Sequence, residues 1–403
     1  MGQGIKISLL TFCFLIIYFF LFSTGLIKYL ALGSNAYFGD FQLFKNALNC
    51  VDKGLSPYIG PSELKCVGFN YGHVILILTP FKKFFANSNQ YILPFTFLTI
   101  FIATTIKLIN PKNAFEFFLI SLALLNPSSL LLIERMNLDI LLYLIIVILA
   151  FNKLYLINWF LVAYSFLFKF HPFIFGIIIF VEKKKRKIIN LFFIFIFILL
   201  ISLIFIFLYK DEYTLMFRDS GAWKMGLHYL FSIKTIPKVL KESFSIHYGS
   251  SLLIFFIIFI YQTYQKSFKH NIDLEDIYSF NKKLFLLSSN SLLLCFLTFS
   301  NAFYREVFLI LTIPYLLSNM NNKYFKNVAF LLCFKYLFNF VYILDLNFET
   351  FYHVNDVRIY KNHFLITVFF KGLIDYILML LIGGITLKMN LNLLRSIKIV
   401  NSS

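Results

Sequence analysis

The sequence predicts an all-α, polytopic integral membrane protein with about 11–13 transmembrane helices, at roughly 20 residues per span, and short amphipathic helices in its outer loops. Three observations predict it. The chain of 403 residues is 60% hydrophobic and only 14% charged. Soluble surfaces need about a quarter charged residues or more, so this chain cannot cover soluble domains. The apolar residues come in long blocks, and basic residues sit in short runs between them, as in Lys183-Lys184-Lys185-Arg186-Lys187.

The 37 Lys and Arg against 19 Asp and Glu give a net charge of +18. In a soluble domain that balance suggests nucleic acid. Here the basic runs fit the positive-inside rule and attraction to anionic membrane lipids. No basic helix or aromatic-basic platform stands outside the apolar blocks, so nucleic acid is not expected as a partner. The 55 Phe accompany an excess of Ile, Lys and Asn, as in AT-rich coding, and point to no function.

The elements follow in order. The block from about Ile5 to Leu32 is too long for a signal-peptide core and lacks a small-residue cleavage site, so it is a retained helix. Lys6 before it favours a cytoplasmic N-terminus. Residues 33–70 form a polar first outer loop with turn signals at Gly54, Pro57, Gly60 and Pro61. Within it, 40–48 reads as a short amphipathic helix lying at an interface. The stretch 71–85 is broken by Pro80 and followed by Lys82-Lys83, so it reads as re-entrant or interfacial, with a true span as the alternative. Further apolar blocks cover about 91–109, 113–133, 138–152, 155–181, 188–209, 250–265, 284–300, 303–319, 324–342 and 363–387. The 155–181 block is interrupted at Lys169-Phe170-His171-Pro172 and reads as two half-helices. Basic connectors put Lys107, Lys112, Lys153, 183–187, 266–283, Lys323, Lys326 and 388–398 on the cytoplasmic side. The loops 33–70, 210–249 and 343–362 then lie outside, and 250–403 supplies the C-terminal helices of one transmembrane domain, 1–403.

Of five Cys, Cys13, Cys295 and Cys333 fall in apolar blocks and read as packing residues. Cys50 and Cys66 share the first outer loop, with no CxxC and no His pair, which argues against zinc. In an oxidising compartment they would close a loop worth about 3 kcal/mol; otherwise they are free thiols. There is no Gly-rich phosphate loop, no HExxH motif and no repeat at a fixed period.

Ionisable residues at helix ends within apolar sequence are costly, and four places carry them. Asp40 follows the first helix; it is either an N-cap or a carboxylate at the membrane border able to accept a proton. Glu134-Arg135-Met136-Asn137-Leu138-Asp139 joins two apolar blocks, either as capping residues or as a pocket for a sugar or phosphate head group. Lys169 and His171 flank the Pro172 break; Lys169 either meets an anion or snorkels to an interface. Tyr304-Arg305-Glu306 sits at a junction of two blocks, where Arg305 suits a phosphate or pairs with a carboxylate. Lys371 and Asp375, four apart in the last helix, are expected to pair with each other or with another helix.

Taken in order, these places resemble the GT-C glycosyltransferases, specifically the polyprenyl-phosphate-dependent enzymes of glycosyltransferase family 87, which include mannosyltransferases. Asp40-x-x-x-Phe44-x-x-Ala47 and Gly54-x-x-Pro57-Tyr58 resemble the first outer loop of that group. Glu134-Arg-Met-Asn137-Leu-Asp139 looks like its ERGNxD element, Lys169-Phe-His-Pro172 like its K-x-x-P element, and Tyr304-Arg305 with Pro314 like its late YR…P element. The chain departs from the pattern at Tyr71-Gly72-His73, where the group has YPP, and at Met136, where it has Gly.

The resemblance implies an inverting transfer of a hexose, mannose-like, from a polyprenyl-phosphate carrier to a glycan or glycolipid acceptor. The site would face the outside of a bacterial inner membrane. Asp40 would be the catalytic base. Arg305, with Lys169 second, would hold the donor phosphate, and Arg135, Asn137, Asp139, His73, Tyr304 and His171 would shape the sugar and acceptor pocket. It also implies that 134–139 lie outside and that 71–85 does not span. No cofactor and no metal are expected, because Arg and Lys can take the cation's role at the leaving phosphate. The alternatives are a lipid-linked glycan transporter or flippase, which should show repeats and charges near helix centres, and a polysaccharide polymerase, which should centre on a long late outer loop rich in Arg.

Overall fold

The computed structural model describes residues 2–31, 37–59, 66, 69, 71–72, 74–77, 85, 88–169, 171–176, 188–212, 214, 231–269, 279–298, 303–347, 351–354 and 357–401. These residues are helical apart from one short antiparallel hairpin, β1 (Phe351–Val354) paired with β2 (Val357–Tyr360), in the expected outer loop 343–362. That hairpin is a local departure from an all-α chain. Its residues read Phe-Tyr-His-Val and Val-Arg-Ile-Tyr, rich in the aromatic and β-branched types that favour strands.

The first apolar block forms two helices, α1 (Gln3–Ser23) and α2 (Leu26–Ala31). The break falls at Gly25, whose φ of 73° is the left-handed conformation that commonly ends a helix. The amphipathic segment of the first outer loop is α3 (Gly39–Asp52), which buries Phe41, Phe44, Ala47 and Leu48 along one face. Within 71–85 the described helix is α4 (Val74–Ile77). Whether 71–85 spans falls largely on residues outside those described.

Then come α5 (Ile92–Ile109), α6 (Ala114–Leu125), α7 (Pro127–Arg135) and α8 (Asp139–Phe151). α6 and α7 meet at a 44° bend. Asn126 supplies it: its side chain caps Ser128 N–H, and Pro127 stands at the first position of α7, where its missing N–H is harmless. α9 (Tyr155–Phe168) stops at Lys169, and a 3-10 turn, His171–Gly176, follows, so the expected interruption by His171-Pro172 is observed.

The second half contains α10 (Ile188–Leu208), α11 (Thr235–Phe244), α12 (Tyr248–Lys269) and α13 (Phe280–Thr298). It continues through a 3-10 helix (Phe303–Thr312), α14 (Ile313–Ser318), α15 (Lys323–Asn347) and α16 (Asn362–Asn401). The block 303–319 is therefore not one regular span. Among the described residues four helices are long and apolar enough to cross a membrane, or five if the bent pair α6–α7 counts as one span. Shorter apolar helices include Asp139–Phe151 and Leu156–Phe168. Many large apolar side chains point outward, among them Phe12, Phe19, Ile92, Leu253 and Phe334, as lipid-facing helices require.

α16 is the hub of the C-terminal half and packs on α11, α12, α13 and α15. Gly383 and Gly384 allow the approach of α12: a Cβ at Gly384 would come within 2.9 Å of Lys266 Cβ. The 3-10 helix 303–312 runs between the halves, touching α7 on one side and α13 on the other.

Candidate active site

The site begins with the turn before α3. Phe38 adopts a left-handed φ of 58°, which lets its N–H donate to the Glu134 carbonyl at 2.7 Å. That bond lays the start of α3 against the end of α7. Asp40, in the first turn of α3 and only 5% exposed, then meets the last residue of α7. Arg135 donates to Asp40 Oδ1 from Nε at 3.1 Å and from Nη2 at 2.7 Å. Asn137 Nδ2 donates to the other oxygen, Oδ2.

Arg135 and Asn137 reach one carboxylate because Met136 between them is left-handed, with φ 49° and ψ 52°. That conformation costs an L-residue roughly 1–2 kcal/mol and none for Gly. The glycine that stands here in the resembled pattern thus has a backbone reason, and Met136 keeps the turn while burying its side chain.

Asn137 also caps. Its Oδ1 accepts the N–H of Asp139 at 2.9 Å, at the start of α8. The same side chain thus supports the start of α8 and contacts Asp40. Asp139 is fully buried in the first turn of α8, where the helix dipole favours an anion. The Lys169 ammonium pairs with its Oδ1, and Arg305 Nε lies 3.6 Å from its Oδ2.

Lys169 terminates α9 in extended conformation, and its ammonium lies 4.8 Å from the Tyr71 ring centre. Tyr71 stacks on Phe168 with ring centres 5.3 Å apart, and Gly72 N–H donates to the Phe168 carbonyl at 3.0 Å. Lys169 is 7% exposed and ion-paired, so it does not snorkel. Arg305 pairs with Asp139, while Glu306 turns away to other partners.

The structure therefore joins Asp40, Arg135, Asn137, Asp139, Lys169 and Arg305 in one continuous polar network drawn from four separate stretches of chain. His73 lies outside the described residues; His171 and Tyr304 lie on described backbone, but their side chains do not. The most exposed members of the network are its arginines: the side chain of Arg135 is 40% exposed and that of Arg305 is 18% exposed. A small pocket beside Asn137 is lined by Phe41, Phe97, Met136 and Leu138. Cys50 and Cys66 are disulfide-bonded, with Cα atoms 5.8 Å apart, and tie the C-terminal end of α3 to the loop that follows. Among the described residues no three His, Cys, Asp or Glu side chains gather as a metal site would need.

Two parts of this neighbourhood escape a reading of residue types. Glu134 is fully buried, and neither of its carboxylate oxygens has a hydrogen-bond partner among the described residues. Its place in the six-residue polar run was the available signal. Tyr71 opens the segment that departs from the resembled pattern at Gly72-His73, and it forms the aromatic face against Lys169. No family model, no curated protein and no solved structure matches the chain.

Proposed function

We propose that the protein is an integral membrane glycosyltransferase that moves a hexose, mannose-like, from a polyprenyl-phosphate carrier to a glycan or glycolipid acceptor, with inversion, on the outer face of a bacterial inner membrane. The observation that carries the reading is the meeting of Asp40 with Arg135 and, through Asn137 and Asp139, with Lys169 and Arg305. A carboxylate and several cations held in one network, at helix ends of an apolar protein, are what a displacement at a lipid phosphate requires.

In the proposed step Asp40 accepts the proton of an acceptor hydroxyl. The hydroxyl oxygen attacks the anomeric carbon, and the bond from that carbon to the phosphate oxygen breaks. The polyprenyl phosphate leaves with the electron pair, opposite Arg305. Arg135 and Asn137 orient Asp40, and the Arg135 side chain, 40% exposed, can turn outward to open one carboxylate oxygen to the acceptor. Asp139 pairs with both Lys169 and Arg305; Arg305, the more exposed of the two, is the donor contact and Lys169 orients Asp139. The lipid tail would run between apolar helices, with no need for a soluble nucleotide-sugar domain.

The experiment is transfer from a polyprenyl-phosphate mannose by purified Asp40→Asn. The amide keeps the shape of the site and cannot take a proton. Transfer should fall by about three orders of magnitude or more, as expected for loss of a general base, while the protein remains monodisperse. Turnover like that of the unsubstituted protein would remove Asp40 from this role.

A further inference from the structure

Directly behind Arg305 lies a second set of buried charges, on residues that the reading above does not use. Glu306 Oε1 pairs with Lys335 Nζ at 3.0 Å and accepts from Lys371 Nζ at 3.0 Å, and Oε2 accepts from Asn339 Nδ2 at 2.9 Å. The same two lysines close on Asp375: Lys371 reaches Oδ2 at 2.7 Å and Lys335 reaches Oδ1. The result is a ring, Glu306–Lys335–Asp375–Lys371, with two positive and two negative charges. Each of the four side chains is at most 2% exposed.

The ring draws on three segments: Glu306 from the 3-10 helix 303–312, Lys335 and Asn339 from α15, and Lys371 and Asp375 from α16. A 3-10 helix places successive side chains about 120° apart. Arg305 and Glu306 therefore point to different sides of one backbone, Arg305 toward Asp139 and Glu306 into the ring. Fixing the direction of Glu306 fixes the direction of Arg305. The helix itself needs such a clamp: it runs for ten residues, whereas 3-10 runs beyond about four are uncommon because their hydrogen bonds are poor. Charge closure alone does not explain the ring, since a buried balanced set is often no more stabilising than apolar residues of the same volume. What charges supply here is direction.

We propose that this ring is the mount that aims Arg305, and that Glu306 is a positioning residue for the donor-phosphate contact. The proposal rests on the glycosyltransferase reading for the identity of that contact, and on geometry alone for the orientation of Arg305.

The test is a double-mutant cycle on binding of farnesyl monophosphate, a short polyprenyl monophosphate, to the full chain in nanodiscs. Glu306→Gln should weaken binding about ten-fold or more in the otherwise unaltered protein and have no further effect in an Arg305→Ala background. Equal weakening in both backgrounds would overturn the proposal. A structure of Glu306→Gln supplies a readout independent of ligand: the Arg305 guanidinium should no longer lie within 4 Å of the Asp139 carboxylate, and its persistence there would overturn the proposal as well. If Arg305→Ala leaves farnesyl phosphate binding unchanged while Glu306→Gln displaces Arg305, the mount stands and the donor-contact reading falls. Should Glu306→Gln fail to fold, Asn339→Ser removes one hydrogen bond from Glu306 without a change of charge. It should shift Arg305 and weaken binding in the same direction, to a smaller extent.

Discussion

Two clusters of carboxylates and cations stand on either side of the 3-10 helix 303–312, and they differ in closure. The ring of Glu306, Lys335, Lys371 and Asp375 is complete: each carboxylate contacts both lysines, and no side chain is more than 2% exposed. The network of Asp40, Arg135, Asn137, Asp139, Lys169 and Arg305 is also continuous, but its two arginine side chains are 40% and 18% exposed. A closed balanced set buried on all sides is out of a ligand's reach and holds geometry. An open set with partly exposed arginines can exchange a carboxylate partner for a phosphate or a sugar hydroxyl at little cost. Charge in an apolar protein is thus not by itself a mark of chemistry; exposure of one partner separates a site from a brace.

The contrast breaks most visibly by removing one cation from each cluster. Lys335→Met should lower stability by about 3–5 kcal/mol, because it leaves Glu306 and Asp375 buried around a single lysine. The double change Lys335→Met/Asp375→Leu removes one charge of each sign and should recover most of that loss. Arg135→Ala, at a side chain that water already reaches, should cost only about 1 kcal/mol and be sensitive to salt. Thermal unfolding in detergent ranks the three. A loss at Arg135 as large as at Lys335 would erase the distinction.

The two clusters also differ in how their supporting chain is held. Three of the four ring residues sit on long helices, whereas Asp40 sits on the 14-residue α3, whose C-terminal end is tied by Cys50–Cys66. Cys50→Ser/Cys66→Ser should therefore cost about 3 kcal/mol, the chain-entropy value for a loop of this length. The lost stability should fall on the Asp40 side: hydrogen exchange should speed up across 37–52 and stay slow across 335–345. Uniform acceleration would show that the disulfide does not act locally.

How much of this could be read from the chain alone follows the same division. Residues at helix ends were legible, because a charge at the border of an apolar block is conspicuous. Asp40, Arg135, Asn137, Asp139, Lys169 and Arg305 all lie at such borders, and the interruption at His171-Pro172 showed in the proline. Residues in the middle of blocks were not. Lys335 and Asn339 lie inside 324–342, and nothing local shows that they meet Glu306 or Lys371 across three segments. Lys371 and Asp375 were legible as a pair, since helical spacing puts them on one face, but their second partners depend on packing. The split of 303–319 into a 3-10 helix and α14 was hidden because its apolar run looks continuous.

The smallest effect concerns support of the ring from outside. α11 packs against α16 at Gly372, where a Cβ would lie 3.0 Å from Thr235 Cγ2, one residue from Lys371. α11 ends at Ser245, whose φ of 54° is left-handed and whose side chain is exposed. Serine carries a steric penalty there that glycine does not, partly offset by glycine's greater freedom in the unfolded chain. Ser245→Gly should therefore raise stability by about 0.5–1 kcal/mol, as a higher midpoint in thermal unfolding. Hydrogen exchange should slow across 235–244 and stay unchanged across 37–52. If slowing appears equally at both, the two clusters unfold as one unit, and the open site has no looseness of its own for a ligand to exploit.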